Sequence, residues 1–343
     1  MIKKKSGKFP SELRFDTASK DWVIIATGRA KRPETFKQKR QSDKDSSTEK
    51  CPFCHIESQA KPTLVFARGK KAAIDKIPDN WTTVCIPNKY PAFLPYSKLE
   101  KKKEGPCYRK MNAVGFHEVV VTRDHNKSLG QMSLEQVKEV LDVYQSRYLS
   151  LKNKKFVNYI SIFHNHGAEA GASIFHPHSQ IITTPLIDID LSKALSNSSR
   201  YYKEKGKCVY CQMNKWELKH GRRIVFENDL FSSLCPFASK AAFQVIISPK
   251  KHYSYFEKIS QQEKWSLAEV FRESLRKIYK GLGDPAYNFY LHTAPCNGKE
   301  YPYYHWHWTI LPKTSTWAGF EIGTRMEIST VEPEKAAQYL RKQ

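Results

Sequence analysis

The run His176-Pro177-His178-Ser179-Gln180 places two imidazoles and a carboxamide at alternate positions. On a strand, alternate residues share a face, so His176, His178 and Gln180 would project to one side. A metal ligand, a nucleophile and an amide donor would then stand together. A His-rich strand edge is the plain alternative for an isolated H-x-H.

A second set of residues points to metal. Two C-x-x-C pairs, Cys51/Cys54 and Cys208/Cys211, are each followed by histidines at matched positions. His125 precedes Ser133 by 8 residues, as His252 precedes Ser260, and the intervals from His125 to His176 and from His252 to His305 are 51 and 53. Two thiolates so spaced, joined by two histidines from elsewhere, make a tetrahedral Cys2His2 zinc site. The candidates are Cys51, Cys54, His125 and His176 in one site, and Cys208, Cys211, His252 and His305 in the other. With four protein ligands each site is closed, which makes it structural. A thioredoxin-like redox pair would require a neighbouring parallel βαβ unit, and none is found. Cys51-Pro52-Phe53-Cys54-His55 also matches the haem-attachment pattern C-x-x-C-H, a modification tied to export, and the second pair could carry no metal. Cys85, Cys107, Cys235 and Cys296 read as buried thiols.

The elements that must position these residues repeat as well. Apolar runs suited to strands precede His125 (Val119-Val120-Val121) and His252 (residues 243–247). Ser133 with Gln136 and Ser260 with Glu263 have capping-box spacing and open helices. Val137, Leu141, Tyr144 and Tyr148 form the apolar face of the first helix. Ala268, Phe271, Leu275 and Ile278 form that of the second, which is predicted to end at Gly281. Strands over residues 156–163 and 287–292 lead into the two H-x-H strands. The class is α+β, two similar halves of antiparallel sheet with helices packed on one face. The first half is predicted over residues 1–184, a Ser-, Lys- and Asn-rich connection over 185–207, and the second half over 208–343. The longer interval between cysteines and histidine in the first half marks an insertion around residues 98–110. Trp306 and Trp308, flanking His307, read as core packing.

The chain has 343 residues and a formal charge of +23. Such a field attracts anions, phosphorylated metabolites and nucleic acid among them. Much of the lysine lies in short runs, as at Lys3-Lys4-Lys5 and Lys101-Lys102-Lys103, which argues for solvated loops and against nucleic-acid binding as the main role. No stretch has the ~18 apolar residues of a membrane helix, and no apolar stretch follows the basic N-terminus as in a secretory signal. Eight cysteines without such a signal predict a reducing, cytoplasmic setting.

Taken together, these residues resemble the galactose-1-phosphate uridylyltransferase family, the transferase branch of the histidine-triad superfamily. The likeness spans almost the whole chain. Gly28-Arg29-Ala30-Lys31-Arg32-Pro33 is similar to the family's R-A-K-R-P segment, and Cys51-Pro52-Phe53-Cys54 with Asp124-His125 to its zinc ligands. Asn88-Lys89-Tyr90-Pro91 resembles the loop that contacts the nucleoside. Asn165-His166-Gly167 through His178-Ser179-Gln180 resembles the active-site strand pair, and Ala318-Gly319-Phe320-Glu321 the hexose-contacting segment. The best-known bacterial members hold iron in the second half with a Glu and three His. Here that Glu position falls near Ala194, and the cysteine pair is closer to the branch that includes ADP-glucose phosphorylase.

The resemblance implies zinc in the first site and in the second, and a homodimer with substrate sites near the interface. It implies a nucleotide sugar and a sugar 1-phosphate as substrates. His178 would attack the α-phosphorus of UDP-glucose, and galactose 1-phosphate would resolve the uridylyl-histidine. Gln180 would donate to a phosphate oxygen. Arg29 and Arg32, unless a solvated basic loop, would supply forked cationic donors. The turn from Gly171 to Ser173 would let backbone approach the phosphates. Asn88, Asn165 and Glu321 would complete the substrate contacts. His307 has Thr309 where a second Gln would stand, so one active site per chain is expected. A phosphorylase taking phosphate as acceptor is the alternative enzyme. A zinc-stabilised nucleic-acid-binding protein is the other alternative, and it gives His178 and Gln180 no role.

Overall fold

The computed structural model describes residues 11–26 and 47–343. Arg29 and Arg32 lie outside the described residues. A small sheet pairs β1 (Glu12–Phe15) with β2 (Trp22–Ile25). Next come β3 (Leu64–Ala67), β4 (Lys70–Ala72) and β5 (Thr83–Pro87). The insertion is an exposed hairpin, β6 (Lys101–Glu104) and β7 (Tyr108–Met111), which forms a separate sheet. Its four lysines, Lys101, Lys102, Lys103 and Lys110, therefore face water. Cys107 lies in its exposed turn and Cys296 is half-buried, so only Cys85 and Cys235 of those four are buried thiols.

Strand β8 (His117–Thr122) leads to helix α1 (Leu134–Leu151), and β9 (Tyr159–His166) and β10 (His178–Thr184) follow. Strand β9 starts later than the sequence predicts, because Phe156 takes a left-handed φ of 66° that breaks the extended run. The connection is helical: α2 (Ile189–Lys205) is N-capped by Asp188 and ended by Gly206 in the left-handed region. Helix α3 (Val209–His220) begins at Cys208. Strands β11 (Ile224–Glu227), β12 (Phe231–Leu234) and β13 (Val245–Pro249) precede helix α4 (Gln261–Leu282), and β14 (Tyr287–His292) and β15 (His307–Pro312) follow it. The chain ends with α5 (Gly319–Thr324), β16 (Ile328–Ser329), which joins β2 in parallel, and α6 (Pro333–Arg341).

The main strands make one continuous 11-stranded sheet, in the order β11-β12-β13-β15-β14-β9-β10-β8-β5-β3-β4, with antiparallel neighbours throughout. Strands β9 and β14 meet in the middle, with Asn288 opposite Asn165 and Phe289 opposite His164. Both predicted capping boxes form, at Ser133 and Ser260. The predicted apolar faces of α1 and α4 are buried, and they share one core with Ile160, Ile162, Ile181, Trp306 and Trp308. Helix α4 runs one residue past Gly281 and stops at Gly283, whose φ of 74° ends it. Gly281 serves close approach instead, since a Cβ there would meet Tyr339 and Gln343 at 3.1 Å. The opposite face of the sheet is left for the polar residues of β9, β10 and β14.

Candidate active site and metal centres

The ligand atoms of Cys51, Cys54, His125 and His176 lie within 4.8 Å of one another, and those of Cys208, Cys211, His252 and His305 do the same. Cys54 Sγ is 3.2 Å from His125 Nδ1 and 3.6 Å from His176 Nδ1, and Cys51 Sγ is 3.5 Å from His176 Nδ1. In the other cluster Cys211 Sγ is 3.2 Å from His252 Nδ1 and 3.4 Å from His305 Nδ1. Metal–sulfur bonds of ~2.3 Å and metal–nitrogen bonds of ~2.0 Å at tetrahedral angles give an S···N edge of ~3.5 Å. The observed spacings match it.

The tautomers agree with this fit. His176 Nε2–H donates to the Thr122 carbonyl at 2.6 Å, and His305 Nε2–H to the Pro249 carbonyl at 3.0 Å. Each Nδ1 lone pair therefore faces the thiols. Burial, reinforced by Cys51, raises the Cys54 thiol to about 11, a cost that a bound cation reverses by taking the thiolate. Each cluster could hold a metal ion.

His178 opens β10 directly after Pro177, while His176 lies before the strand and is fully buried. The two imidazoles therefore do not share a strand face as the alternation predicts. One turns into the metal cluster and the other joins the sheet face with Gln180. The Nδ1–H of His178 donates to the His176 carbonyl at 2.8 Å, which leaves Nε2 as the lone-pair nitrogen. Burial lowers the pKa of His178 below its ordinary value, partly opposed by that carbonyl. The ring is thus neutral near pH 7. The Phe53 ring packs 5.0 Å from His178 and 5.9 Å from His176, so the C-x-x-C loop supports both.

Gln180 pairs with Phe163, and Ser179 with His164. Continuing that register puts Asn165 opposite His178. Beyond it, Gly167 and Gly171, with φ of 80° and 87°, turn the chain through a short 3-10 helix, and Ser173 is exposed just after. Gln180 Oε1 is 2.8 Å from Nε2 of His117, whose Nδ1 accepts from the Ala92 N–H at 3.0 Å. Asn88 Nδ2 lies 3.1 Å from the same His117 Nε2, and its Oδ1 accepts from Tyr90 N–H. Asn288 Nδ2 donates to Asn165 Oδ1 and to the Ala170 carbonyl, each at 2.8 Å. The structure thus gathers His178, Gln180, Asn165 and Asn88, and adds Phe53, His117 and Asn288, which the sequence reading passed over. His117 heads a valine-rich strand in phase with the Gln180 face, a signal that was legible. The pairing of Asn288 with Asn165 crosses between halves and was not. Glu321 caps its own short helix α5, accepting from Ala318 N–H at 3.1 Å. Among the described residues it shares no hydrogen bond with the His178 group.

On the second half's side of the same face lies a cavity of about 670 Å³ that reaches Asn165 and Asn288. His292 and His307 stack in its wall with ring centroids 4.6 Å apart. His307 Nδ1–H donates to the His305 carbonyl at 3.1 Å, repeating the geometry of His178, and burial lowers its pKa to about 4.

Residues 2–187 match the model of the galactose-1-phosphate uridyl transferase N-terminal domain, and residues 194–342 that of its C-terminal domain. The chain belongs to this family. Within the uridyl transferase family, it is 34% identical over 340 residues to ADP-glucose phosphorylase of Arabidopsis thaliana, covering 96% of this chain and 92% of that one. It is 31% identical to galactose-1-phosphate uridylyltransferase of Thermotoga maritima, covering 96% and 98%. The crystal structure of the Arabidopsis thaliana ADP-glucose phosphorylase with bound ADP-glucose superposes with a TM-score of 0.79 at 31% identity, over 97% of this chain and 99% of that one. The chain is thus a member of a nucleotidyltransferase family. Among its described residues no helix is long and apolar enough to cross a membrane.

Proposed function

We propose that the protein transfers a nucleotidyl group from a nucleotide sugar by double displacement at His178, with UDP-glucose as donor and galactose 1-phosphate as acceptor. The observation that carries the reading is the neutral imidazole of His178, pinned through Nδ1 with Nε2 left as nucleophile. In the first step Nε2 bonds to the α-phosphorus, and the bond from that phosphorus to the bridging oxygen breaks. Glucose 1-phosphate departs with the electron pair. In the second step a phosphate oxygen of galactose 1-phosphate attacks, the P–N bond breaks and neutral His178 returns. Splitting the exchange lets donor and acceptor use one small site in turn.

Such chemistry asks the protein mainly for position and charge stabilisation. Gln180 and Asn165 supply amide donors to the phosphate oxygens. The turn at Gly171 and Ser173 offers backbone approach, Asn88 stands at the nucleoside end, and Glu321, Arg29 and Arg32 complete the substrate contacts. Cys51, Cys54, His125 and His176 would hold zinc, as would Cys208, Cys211, His252 and His305. Bound there, zinc would supply rigidity rather than reaction chemistry, and His176 as its ligand would fix the segment from which His178 projects. The strand pair and any subunit contact serve the same end, and a homodimer is part of the proposal.

A second reading has its own support. The 34% identity to ADP-glucose phosphorylase favours an adenine nucleotide sugar with inorganic phosphate as acceptor. One experiment addresses both. The protein is incubated with radiolabelled UDP-glucose or ADP-glucose and examined for an acid-labile, base-stable nucleotidyl adduct. An adduct that His178→Ala abolishes is expected, and its persistence in that variant would sink the mechanism. Chasing with galactose 1-phosphate or phosphate then separates transferase from phosphorylase.

A further inference from the structure

We propose that His117 and Asn288 are positioning residues that fix the polarity of two active-site amides, turning the NH2 ends of Gln180 and Asn165 toward the substrate phosphate. The proposal rests on the reading of His178 as the nucleotidyl acceptor. A carboxamide has a donor end and an acceptor end of nearly equal shape, so its rotation is decided by its partners. Beside an anion the wrong rotation replaces an attractive N–H with a repulsive carbonyl dipole.

In each case the choice is traced to a backbone group that cannot rotate. The Ala92 N–H is only a donor, so His117 Nδ1, 3.0 Å away, must accept. The proton of neutral His117 then sits on Nε2, which donates to Gln180 Oε1 at 2.8 Å. The Nε2 amide of Gln180 makes no hydrogen bond among the described residues and is left for substrate. Asn88 Nδ2, 3.1 Å from the same imidazole nitrogen, cannot bond to it in this tautomer and is likewise left over. On the other side, the Ala170 carbonyl is only an acceptor, so the amide it binds at 2.8 Å must be Asn288 Nδ2. The second N–H of that nitrogen donates to Asn165 Oδ1 at 2.8 Å. Asn165 Nδ2 then points over Gly171, lying 3.8 Å from where a Cβ at that glycine would sit. One backbone donor and one backbone acceptor thus set the polarity of two amides near His178, one two residues along β10 and one on the facing strand β9, and Asn288 reaches the site from the second half of the chain.

Two measurements test this. In single-turnover formation of the nucleotidyl-His178 adduct, His117→Ala and Asn288→Ala should each slow the step ~10- to 100-fold with KM changed less. That is below the ~10²–10³-fold loss of a transition-state donor removed outright. Because each residue acts through one amide, the His117→Ala effect should vanish in a Gln180→Ala background, and the Asn288→Ala effect in an Asn165→Ala background. Full additivity, or unchanged rates in the single variants, would overturn the proposal. Independently of activity, the imidazole ¹⁵N spectrum of His117 in the unmutated protein, assigned through bonds from its own backbone resonances, should show Nε2 protonated and Nδ1 bare. The reverse tautomer overturns the proposal even if the variants fail to fold. Absence of any adduct in the unmutated protein removes the reading of His178 instead, and the tautomer still decides the His117 arm.

Discussion

Gly167 and Gly171 bracket the short turn that carries the chain from Asn165 toward His178, and they are glycines for different reasons. Gly167 combines a φ of 80° with ψ of 152°, a region open essentially only to glycine. A Cβ there would also meet Ala286 Cβ at 2.9 Å. Gly171 has the positive φ, yet its nearest neighbour would be Asn165 Nδ2 at an ordinary 3.8 Å. Gly171→Ala should therefore cost about 1–2 kcal/mol from backbone strain alone, and Gly167→Ala distinctly more. Urea unfolding of the two variants checks the order, and equal losses would refute it. At this scale much of the site was legible. The cysteine pairs, His125, His176 and their repeat gave both Cys–His clusters that could hold a metal ion, because ligand chemistry restricts residue type and spacing. What escaped was the divergence of His176 from His178, since alternation assumes a strand that Pro177, lacking an N–H, delays by two residues. Partners such as His117 and Asn288 escaped too. A neutral imidazole or amide on a strand carries no sign of what it holds.

Helices α1 and α4 lie together on the sheet, and a buried ionic link joins them. Lys264, 2% exposed, donates to Asp142 at 2.5 Å and to Gln145 at 2.7 Å, while Lys138 reaches the other oxygen of Asp142 at 2.6 Å. Removing one partner strands a buried charge, so Asp142→Ala should destabilise by about 3–5 kcal/mol. Asp142→Leu combined with Lys264→Met should recover most of that, and a double variant as unstable as the single would contradict the account. The helices themselves were readable from capping boxes and apolar periodicity. Lys264 was not, because it stands in line with the apolar stripe at its first turn, where a lysine reads as the solvated end of the face and only tertiary packing encloses it. The end of α4 was misplaced for a related reason. Gly281 resembles a stop, but it is spent on the close passage of α6, and Gly283 takes the left-handed φ.

Across the whole molecule, the seam between β9 and β14 gathers aromatic rings around His164. Its imidazole is 1% exposed, stacks on Phe289 at 4.8 Å and shares Ser179 Oγ with Tyr144. Burial holds its pKa well below the ordinary range. Above pH ~6.5 both folded and unfolded chains keep this ring neutral. As pH falls through that value the unfolded chain gains a proton that the folded chain refuses. Stability then drops by about 1.4 kcal/mol per pH unit until the folded value is reached. Replacing His164 by Gln should flatten the slope of unfolding free energy between pH 6.5 and 5 by about one proton. An unchanged slope would exclude the assignment. The two-fold repeat was visible in spacing, but its joining into one sheet was not, since the register of β9 against β14 depends on residues more than 120 positions apart.

That joining has a consequence for how the chain can be divided. A fragment carrying only the first half would leave β9 as an open edge with a row of unpaired N–H and C=O groups, a template for aggregation. It would also lack the side chain that holds Asn165 in place. The second half thus closes the sheet of the first and lends Asn165 its partner, so severing the chain between them would cost both parts an edge and the His178 face a contact.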